Sequence, residues 1–114
     1  MSLLHLTLTT DRAPDETACP DPAKLLKGDP LHETWLHEDR APLYAGVWRS
    51  SPGKWRVNYD EWEYFHVLSG RGVLTDAHGQ TSALEPGGRH IIRPGFSGSF
   101  EVTETLTKDF VILT

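Results

Sequence analysis

The stretch YDEWEYFHVLSGRG, residues 59–72, joins three acidic residues to an apolar run that ends at a glycine. Side chains of a β-strand alternate between its two faces. If the stretch is one regular strand, one face holds Tyr59, Glu61, Glu63, Phe65 and Val67. Phe65 and Val67 indicate that this face is the interior of a β-barrel, which places Glu63 among apolar side chains. His66 is predicted to point to the opposite face, unless a β-bulge redirects it.

The chain after residue 23 is divided into short strand-like runs. Runs rich in Val, Ile, Thr and aromatic residues are separated by Gly, Pro, Asp or Ser at roughly ten-residue spacing. This pattern predicts an all-β domain with a sandwich, jelly-roll or barrel architecture. The segment LTDAHGQTSAL, residues 74–84, predicts a hairpin with Asp76 to Gly79 in its turn. Only DPAKLLKG, residues 21–28, has a helical pattern, of one or two turns.

The first 23 residues have a different composition. Leu4, Leu6 and Leu8 alternate with other residues, which predicts a short strand with one buried face. Residues 9–24 contain three prolines and four acids, a composition typical of a loop or an extended arm. We therefore divide the chain into an N-terminal strand and proline-rich arm at 1–23 and a barrel domain at 24–114. The N-terminal strand adds either to the main sheet or to a partner subunit.

Length, charge and cysteine content exclude several classes of protein. The 114 residues suffice for one domain, and the net charge of −5 argues against binding to nucleic acid or to acidic membranes. A local pocket can still be basic and bind a small anion. The single cysteine, Cys19, excludes an intrachain disulfide, and no apolar run has the length of a membrane helix. The start of the chain lacks the features of a signal peptide, so a cytoplasmic protein is expected.

The spacing of Glu63 and Gly70, followed by a run bounded by two Pro-Gly pairs, resembles the two motifs of the cupin superfamily. In metal-binding cupins, two histidines precede the glutamate and a third follows in the second motif. The matching positions here hold Val57 and Tyr59 (or Arg56 and Asn58 with the longer spacing) and Gly98. The resemblance therefore implies that the usual metal site is missing, and we expect no cofactor. A divalent metal held by a non-standard set of ligands is the alternative.

Further segments resemble one branch of that superfamily. AGVWRSSPGKWRVNYDE, HVLSGRGVLTD and PGFSGSFEV are similar to the small single-domain cupins of the domain-of-unknown-function 861 group, also called the cupin-3 family. That group shares its domain type with (S)-ureidoglycine aminohydrolase and with an ethanolamine-utilization cupin. The resemblance runs from about Lys24 to the C-terminus. It implies an RmlC-like double-stranded β-helix, a jelly-roll barrel, with Phe100 at a position where relatives commonly have tryptophan.

The predicted interior supplies two candidate catalytic residues. A carboxylate inside an apolar barrel suits acid or base work, which is the role predicted for Glu63. The structural alternative for Glu63 is an ion pair with Arg49, Lys54 or Lys108, or a hydrogen bond to a buried hydroxyl. Tyr59 can donate a hydrogen bond to a bound carboxylate or carbonyl. The candidate ligand-binding residues are Trp48, Trp55, Phe65, His66, Lys108 and Phe100.

The histidines are scattered and form no recognisable metal motif. His66 and His90 are predicted to lie on an outer face, at a contact between sheets or subunits. The others are predicted to be solvent or loop residues: His5, His32, His37 and His78.

Two functions from different classes fit these residues. The first is a metal-independent enzyme acting on a small polar metabolite, a carboxylate or a nitrogen-containing compound. The second is a non-catalytic ligand-binding or sensor module that uses the same pocket. Outer-face residues Trp62, Tyr64 and Leu68, with the apolar N-terminal strand, predict a homodimer.

Overall fold

The computed structural model describes residues 4–114, which form nine β-strands and no helix. The strands are β1 (Glu16–Ala18), β2 (Leu25–Gly28), β3 (His32–Arg40), β4 (Leu43–Ser50), β5 (Gly53–Asn58), β6 (Trp62–Asp76), β7 (Thr81–Leu84), β8 (Arg89–Ile92) and β9 (Ser97–Leu113). All pair antiparallel. The prediction of an all-β jelly-roll barrel is confirmed.

Two long strands give the sheet its curvature. β6 has 15 residues and β9 has 17, so each is longer than the short runs that the sequence predicted. The second half of β9 pairs with β4 and its first half pairs with β5, while β6 pairs along both halves. Irregularities in the β6–β9 register between Val67 and Gly72 bend both strands, because a bulge bends the strand that carries it. Along the sheet, neighbouring strands follow the order β1, β3, β4, β9, β5, β2, and β6 joins this row by pairing with β9.

The core lies on the inner faces of these strands. Glu63, Phe65 and Val67 alternate with more accessible residues along the first half of β6. Phe65 and Val67 have no exposed surface. The period-two prediction is therefore confirmed for residues 62–67. The other buried apolar residues of the core cluster are Trp55, Leu74, Leu84, Ile92, Phe100, Val102, Leu106 and Phe110.

The helical prediction for residues 21–28 is wrong. Asp21 accepts hydrogen bonds from the backbone of Ala23, Lys24 and Leu25, which closes one turn. The chain then continues as β2, where Leu25 lies opposite Trp55 of β5. A two-residue apolar pair at an open sheet edge gains more backbone hydrogen bonds as a strand than as an isolated helical turn.

The arm contributes a strand, but not at the predicted position. No strand forms at residues 4–8, which are all exposed. The first strand is β1, which pairs with β3 of the same chain. The Trp35 Nε1 donates to the Arg12 carbonyl oxygen at 2.7 Å, and the Leu36 amide donates to Asp15 Oδ2 at 2.7 Å. These contacts place the arm over the outer side of β3. The domain boundary near residue 23 stays a prediction.

The predicted hairpin is confirmed between β6 and β7. Thr75 lies opposite Thr81, and Asp76 Oδ1 accepts hydrogen bonds from the His78 and Gln80 amides. Gly79 has a φ of 81°, a left-handed conformation that glycine adopts without steric cost.

The outer face of β6, β8 and β9 carries a band of apolar side chains. Tyr64 lies beside Ile91, which is 59% exposed, and beside Val111. Trp62 lies beside Leu113, which is 47% exposed. The homodimer stays a prediction, and this apolar band is the surface through which we expect two copies to pack. In residues 4–114 no helix could cross a membrane, and the cytoplasmic location stays a prediction as well.

Candidate functional site

The open end of the barrel contains a cavity of about 550 Å³. Its walls come from β1, β3, β4, β5, β6 and β9, from the loop before β6 and from the residue after β9. The lining residues are Glu16, His32, Thr34, Leu36, Tyr44, Trp48, Trp55, Tyr59, Glu61, Glu63, Phe100, Lys108, Phe110, Ile112 and Thr114. Six of the eight candidate site residues are therefore brought together: Tyr59, Glu63, Trp48, Trp55, Phe100 and Lys108.

A buried ion pair lies in the wall of this cavity. Lys108 Nζ is 2.8 Å from Glu63 Oε2, and the two side chains are 6% and 7% exposed. Lys108 lies opposite Val67 on β6 and opposite Trp48 on β4, so its side chain runs along the inner face to reach Glu63. The structural alternative raised for Glu63, an ion pair with Lys108, is present in the structure.

Aromatic rings surround the Lys108 ammonium group. Its Nζ lies 4.2 Å from the ring centroid of Phe65, 4.8 Å from that of Trp48 and 5.3 Å from that of Phe100. At these distances the ring faces attract the cation. Trp55 stacks on Phe100 with centroids 5.3 Å apart and extends the wall. The Lys108 ammonium group is thus enclosed by aromatic rings on one side and by the Glu63 carboxylate on the other.

His32 was predicted to be a solvent or loop residue, and this prediction is wrong. The residue opens β3, and its ring centroid lies 4.5 Å from that of Trp55 and 5.2 Å from that of Trp48. Its Nε2 is buried and has no hydrogen-bond partner among residues 4–114. Burial, and then the charge of Lys108, lowers the pKa of His32. Extending the alternation of Thr34 and Leu36 back by two residues is the sequence signal that points His32 inward.

Tyr59 lines the cavity from a loop and not from a strand. β6 begins at Trp62, three residues later. The Tyr59 backbone is fixed by hydrogen bonds to Phe96 and Gly95, at 2.9 Å and 2.7 Å. Burial, followed by the charges of Glu63 and Glu61, raises the pKa of the Tyr59 hydroxyl. It therefore stays protonated and able to donate a hydrogen bond over the physiological pH range.

Two candidate residues do not line the cavity. Phe65 lies beneath Lys108 with no exposed surface. His66 lies on the opposite face of β6, between Arg89 and Asp109 on the neighbouring strands; its predicted outward direction is confirmed and its ligand-binding role is not supported. His90 was predicted to face outward as well, but it stacks on Phe65 at 5.0 Å. The register of β8 with β6 turns His90 inward.

The residues present do not fit the metal site that the cupin motifs imply. Val57 lies opposite Gly98, so the imidazole positions on β5 and β9 carry no ligand atoms. One oxygen of the Glu63 carboxylate, Oε2, is already held by Lys108. Within residues 4–114, no three His, Cys, Asp or Glu side chains are grouped so as to hold a metal. No chemical step is therefore assigned to a metal, and the prediction that the protein needs none stays a prediction.

The low pKa of His32 predicts a pH dependence of stability. Burial and the charge of Lys108 lower the pKa of His32 and of His90 below the ordinary value of 6.5. As the pH falls below 6.5, the unfolded chain binds these protons first, so the free energy of unfolding decreases until the folded histidines protonate too. Denaturant unfolding across this range should show a smaller decrease for His32→Asn than for the wild type. His78→Asn, in the exposed hairpin turn, is the control and should keep the wild-type slope. An unchanged slope in His32→Asn would contradict the prediction.

Comparison with known proteins gives one family and several similar folds. The model of the EutQ-like cupin domain family matches residues 38–110. No curated protein has significant sequence similarity to the chain. A protein of unknown function from Pseudomonas syringae pv. tomato, of the domain-of-unknown-function 861 family, has a TM-score of 0.81 and 23% identity over 92% of this chain and 46% of that one. This chain thus spans less than half of that protein.

Two further solved structures share the fold at lower similarity. The EutQ protein of Clostridium difficile has a TM-score of 0.66 and 16% identity, over 74% of this chain and 68% of that chain. Ectoine synthase from P. lautus has a TM-score of 0.66 and 13% identity, over 72% and 63%. At these identities the structures are evidence for the fold alone. The family match spans well over half of the sequence and includes both cupin motif regions, so the chain belongs to the EutQ-like cupin domain family, the cupin-3 family.

Proposed function

We propose that this protein binds a small polar molecule in the cavity beside Glu63 and Lys108. The observation that carries the proposal is the ion pair, which is buried in the wall of an open cavity. Removing two charges from water costs several kcal/mol per ion, so a buried pair adds little to stability. Stability therefore does not explain why the pair is present, and its position in the cavity wall suits it to recognise a ligand.

The cavity has the other properties of a ligand site. Its volume of about 550 Å³ is in the range of small-molecule pockets, which are concave and largely apolar with a few polar groups. Trp48, Trp55 and Phe100 supply the apolar wall, and Tyr59 supplies a donor. The family resemblance supports a carboxylate or a nitrogen-containing metabolite as the ligand.

The ion pair favours binding over proton transfer as the role of Glu63. A general base takes up the substrate proton, and a protonated Glu63 would leave the buried Lys108 cation without its counter-charge. In Glu63 one carboxylate oxygen is held by Lys108 at 2.8 Å. A non-catalytic binding module is therefore the form of the proposal that the geometry supports best, and a metal-independent enzyme with Glu63 as acid or base is the competing form.

A ligand screen with a blocked cavity tests the binding proposal. Carboxylates, amides, amines and amino acids are screened by thermal shift, and hits are repeated on Thr34→Trp, which fills the cavity from β3. Thr103→Trp, an exposed strand position outside the cavity, is the matched control. We expect the shift to vanish in Thr34→Trp and to persist in Thr103→Trp. A screen without hits, or hits that survive the blocked cavity, would overturn the proposal.

The same hits separate a binder from an enzyme. Each is incubated with the wild type and with Glu63→Gln, and product is measured by mass spectrometry. No product with either protein supports the binding module. Product from the wild type alone assigns the acid or base role to Glu63.

A further inference from the structure

The deep part of the cavity has no net charge. Glu63 and Lys108 cancel each other at 2.8 Å. His32 is neutral at neutral pH because burial and Lys108 lower its pKa, and Tyr59 is neutral because burial raises its pKa. Glu16 is exposed and Glu61 is only half-buried, so water and salt screen their charges.

The ion pair leaves hydrogen-bonding capacity on both of its members. Lys108 has three N–H donors, and in residues 4–114 it makes one hydrogen bond, to Glu63 Oε2. Glu63 Oε1 accepts no hydrogen bond from residues 4–114 and is not fully buried, so it reaches the cavity surface. A donor and an acceptor, both on side chains more than nine-tenths buried, therefore lie side by side in the wall.

We propose that the cavity selects a neutral molecule that carries an N–H group next to a C=O group, as in a primary amide, a lactam or a urea. Glu63 Oε1 accepts the N–H, and Lys108 Nζ donates to the carbonyl oxygen. The aromatic wall of Trp48 and Trp55 covers the flat face of the same group. This inference deepens the proposed binding function and depends on it.

Ionic ligands match the pair less well. A carboxylate attracted by Lys108 meets the like charge of Glu63 one hydrogen bond away, and an ammonium group attracted by Glu63 meets Lys108. Each ion also loses its hydration shell when it enters between the aromatic rings, and the site offers no net opposite charge to offset this cost. An amide presents its donor and acceptor to the pair at a much lower desolvation cost.

Isosteric ligands test this selectivity on the intact protein. The probes are propionamide, propionate and propylamine, and the larger set benzamide, benzoate and benzylamine. Binding at neutral pH is followed by tryptophan fluorescence, since Trp48 and Trp55 line the cavity. We expect each amide to bind about tenfold more tightly than its carboxylate or amine, as expected when a buried polar group is left without its partner.

Charge variants provide the sharper test. Glu63→Gln leaves the Lys108 cation uncompensated and should reverse the order so that benzoate binds more tightly than benzamide. Lys108→Gln leaves the Glu63 anion and should favour benzylamine. The double variant Glu63→Gln/Lys108→Gln is neutral again and should prefer the amide. If a single variant does not fold, the Lys108 Nζ resonance of ¹⁵N-lysine-labelled wild type reports the contact, since it should shift with benzamide.

The outcomes separate the inference from the function on which it rests. Tighter binding of the wild type to carboxylates or to amines overturns the inference and leaves the binding proposal intact. Ligands found in the broad screen, together with no response to either amide at millimolar concentration, also overturn it. The proposed function itself is overturned by a screen without hits, or by hits that still bind Thr34→Trp.

Discussion

Replacing Lys108 by methionine should lower the free energy of unfolding by about 3–5 kcal/mol, the usual cost of removing one partner of a buried ion pair. The Glu63 carboxylate is left 7% exposed, without its counter-charge and among aromatic rings. The loss of the cation also removes its contacts with Phe65, Trp48 and Phe100. Denaturant unfolding monitored by circular dichroism measures the difference.

Two controls identify burial of the pair as the cause. Lys27→Met makes the same substitution in an exposed pair, where Lys27 lies 3.5 Å from Glu101 and is 72% exposed. Exposed pairs contribute about 0–1 kcal/mol, so the loss should be small there. The double variant Glu63→Gln/Lys108→Met removes both charges and should recover most of the stability. A loss in Lys108→Met no greater than that in Lys27→Met would show that the carboxylate is solvated or neutral.

The ion pair also shows where sequence reasoning stops. Glu63 was placed on the inner face because Phe65 and Val67 alternate with it, and this needs only the period of a strand. Its partner is 45 residues away, and three basic residues were equally plausible from the sequence. Lys108 is the partner because of the register in which β9 pairs with β6. This register shifts twice between Val67 and Arg71. That shift has no simple signature in the sequence.

His32 and Tyr59 illustrate two different errors. Tyr59 was correctly predicted to line the cavity, but for the wrong reason. It was placed on a strand, whereas β6 begins only at Trp62 and the preceding loop brings the Tyr59 ring inward. His32 was missed because it was predicted to be a solvent or loop residue, whereas it is the first residue of β3. Its aromatic neighbours, Trp48 and Trp55, come from two other strands. Strand ends and cross-strand neighbours are set by tertiary pairing and not by local composition.

Gly70→Ala is expected to destabilise the fold by roughly 2–5 kcal/mol, the sum of a left-handed backbone penalty and of overpacking. The sequence placed Gly70 at the end of a strand, but the structure has it inside β6, where the register with β9 is irregular. Its φ is 87°, which favours glycine. A Cβ atom there would lie 2.5 Å from Leu106 Cα and closer still to the Thr105 carbonyl oxygen. Denaturant unfolding of the variant measures the loss.

Gly79→Ala separates the two contributions to that loss. Gly79 has nearly the same conformation, with a φ of 81°, but a Cβ atom there would meet nothing within 4 Å. Only the left-handed penalty applies, so Gly79→Ala should cost about 1–2 kcal/mol. The remaining difference between the variants is the cost of pushing β9 away from β6 at Thr105 and Leu106.

Because Lys108 lies on β9 two residues beyond Leu106, Gly70→Ala should also weaken ligand binding in the cavity, whereas Gly79→Ala should not. Equal stability losses in the two variants would show that β9 moves aside freely, and would contradict a rigid β6–β9 pairing as the support of the site.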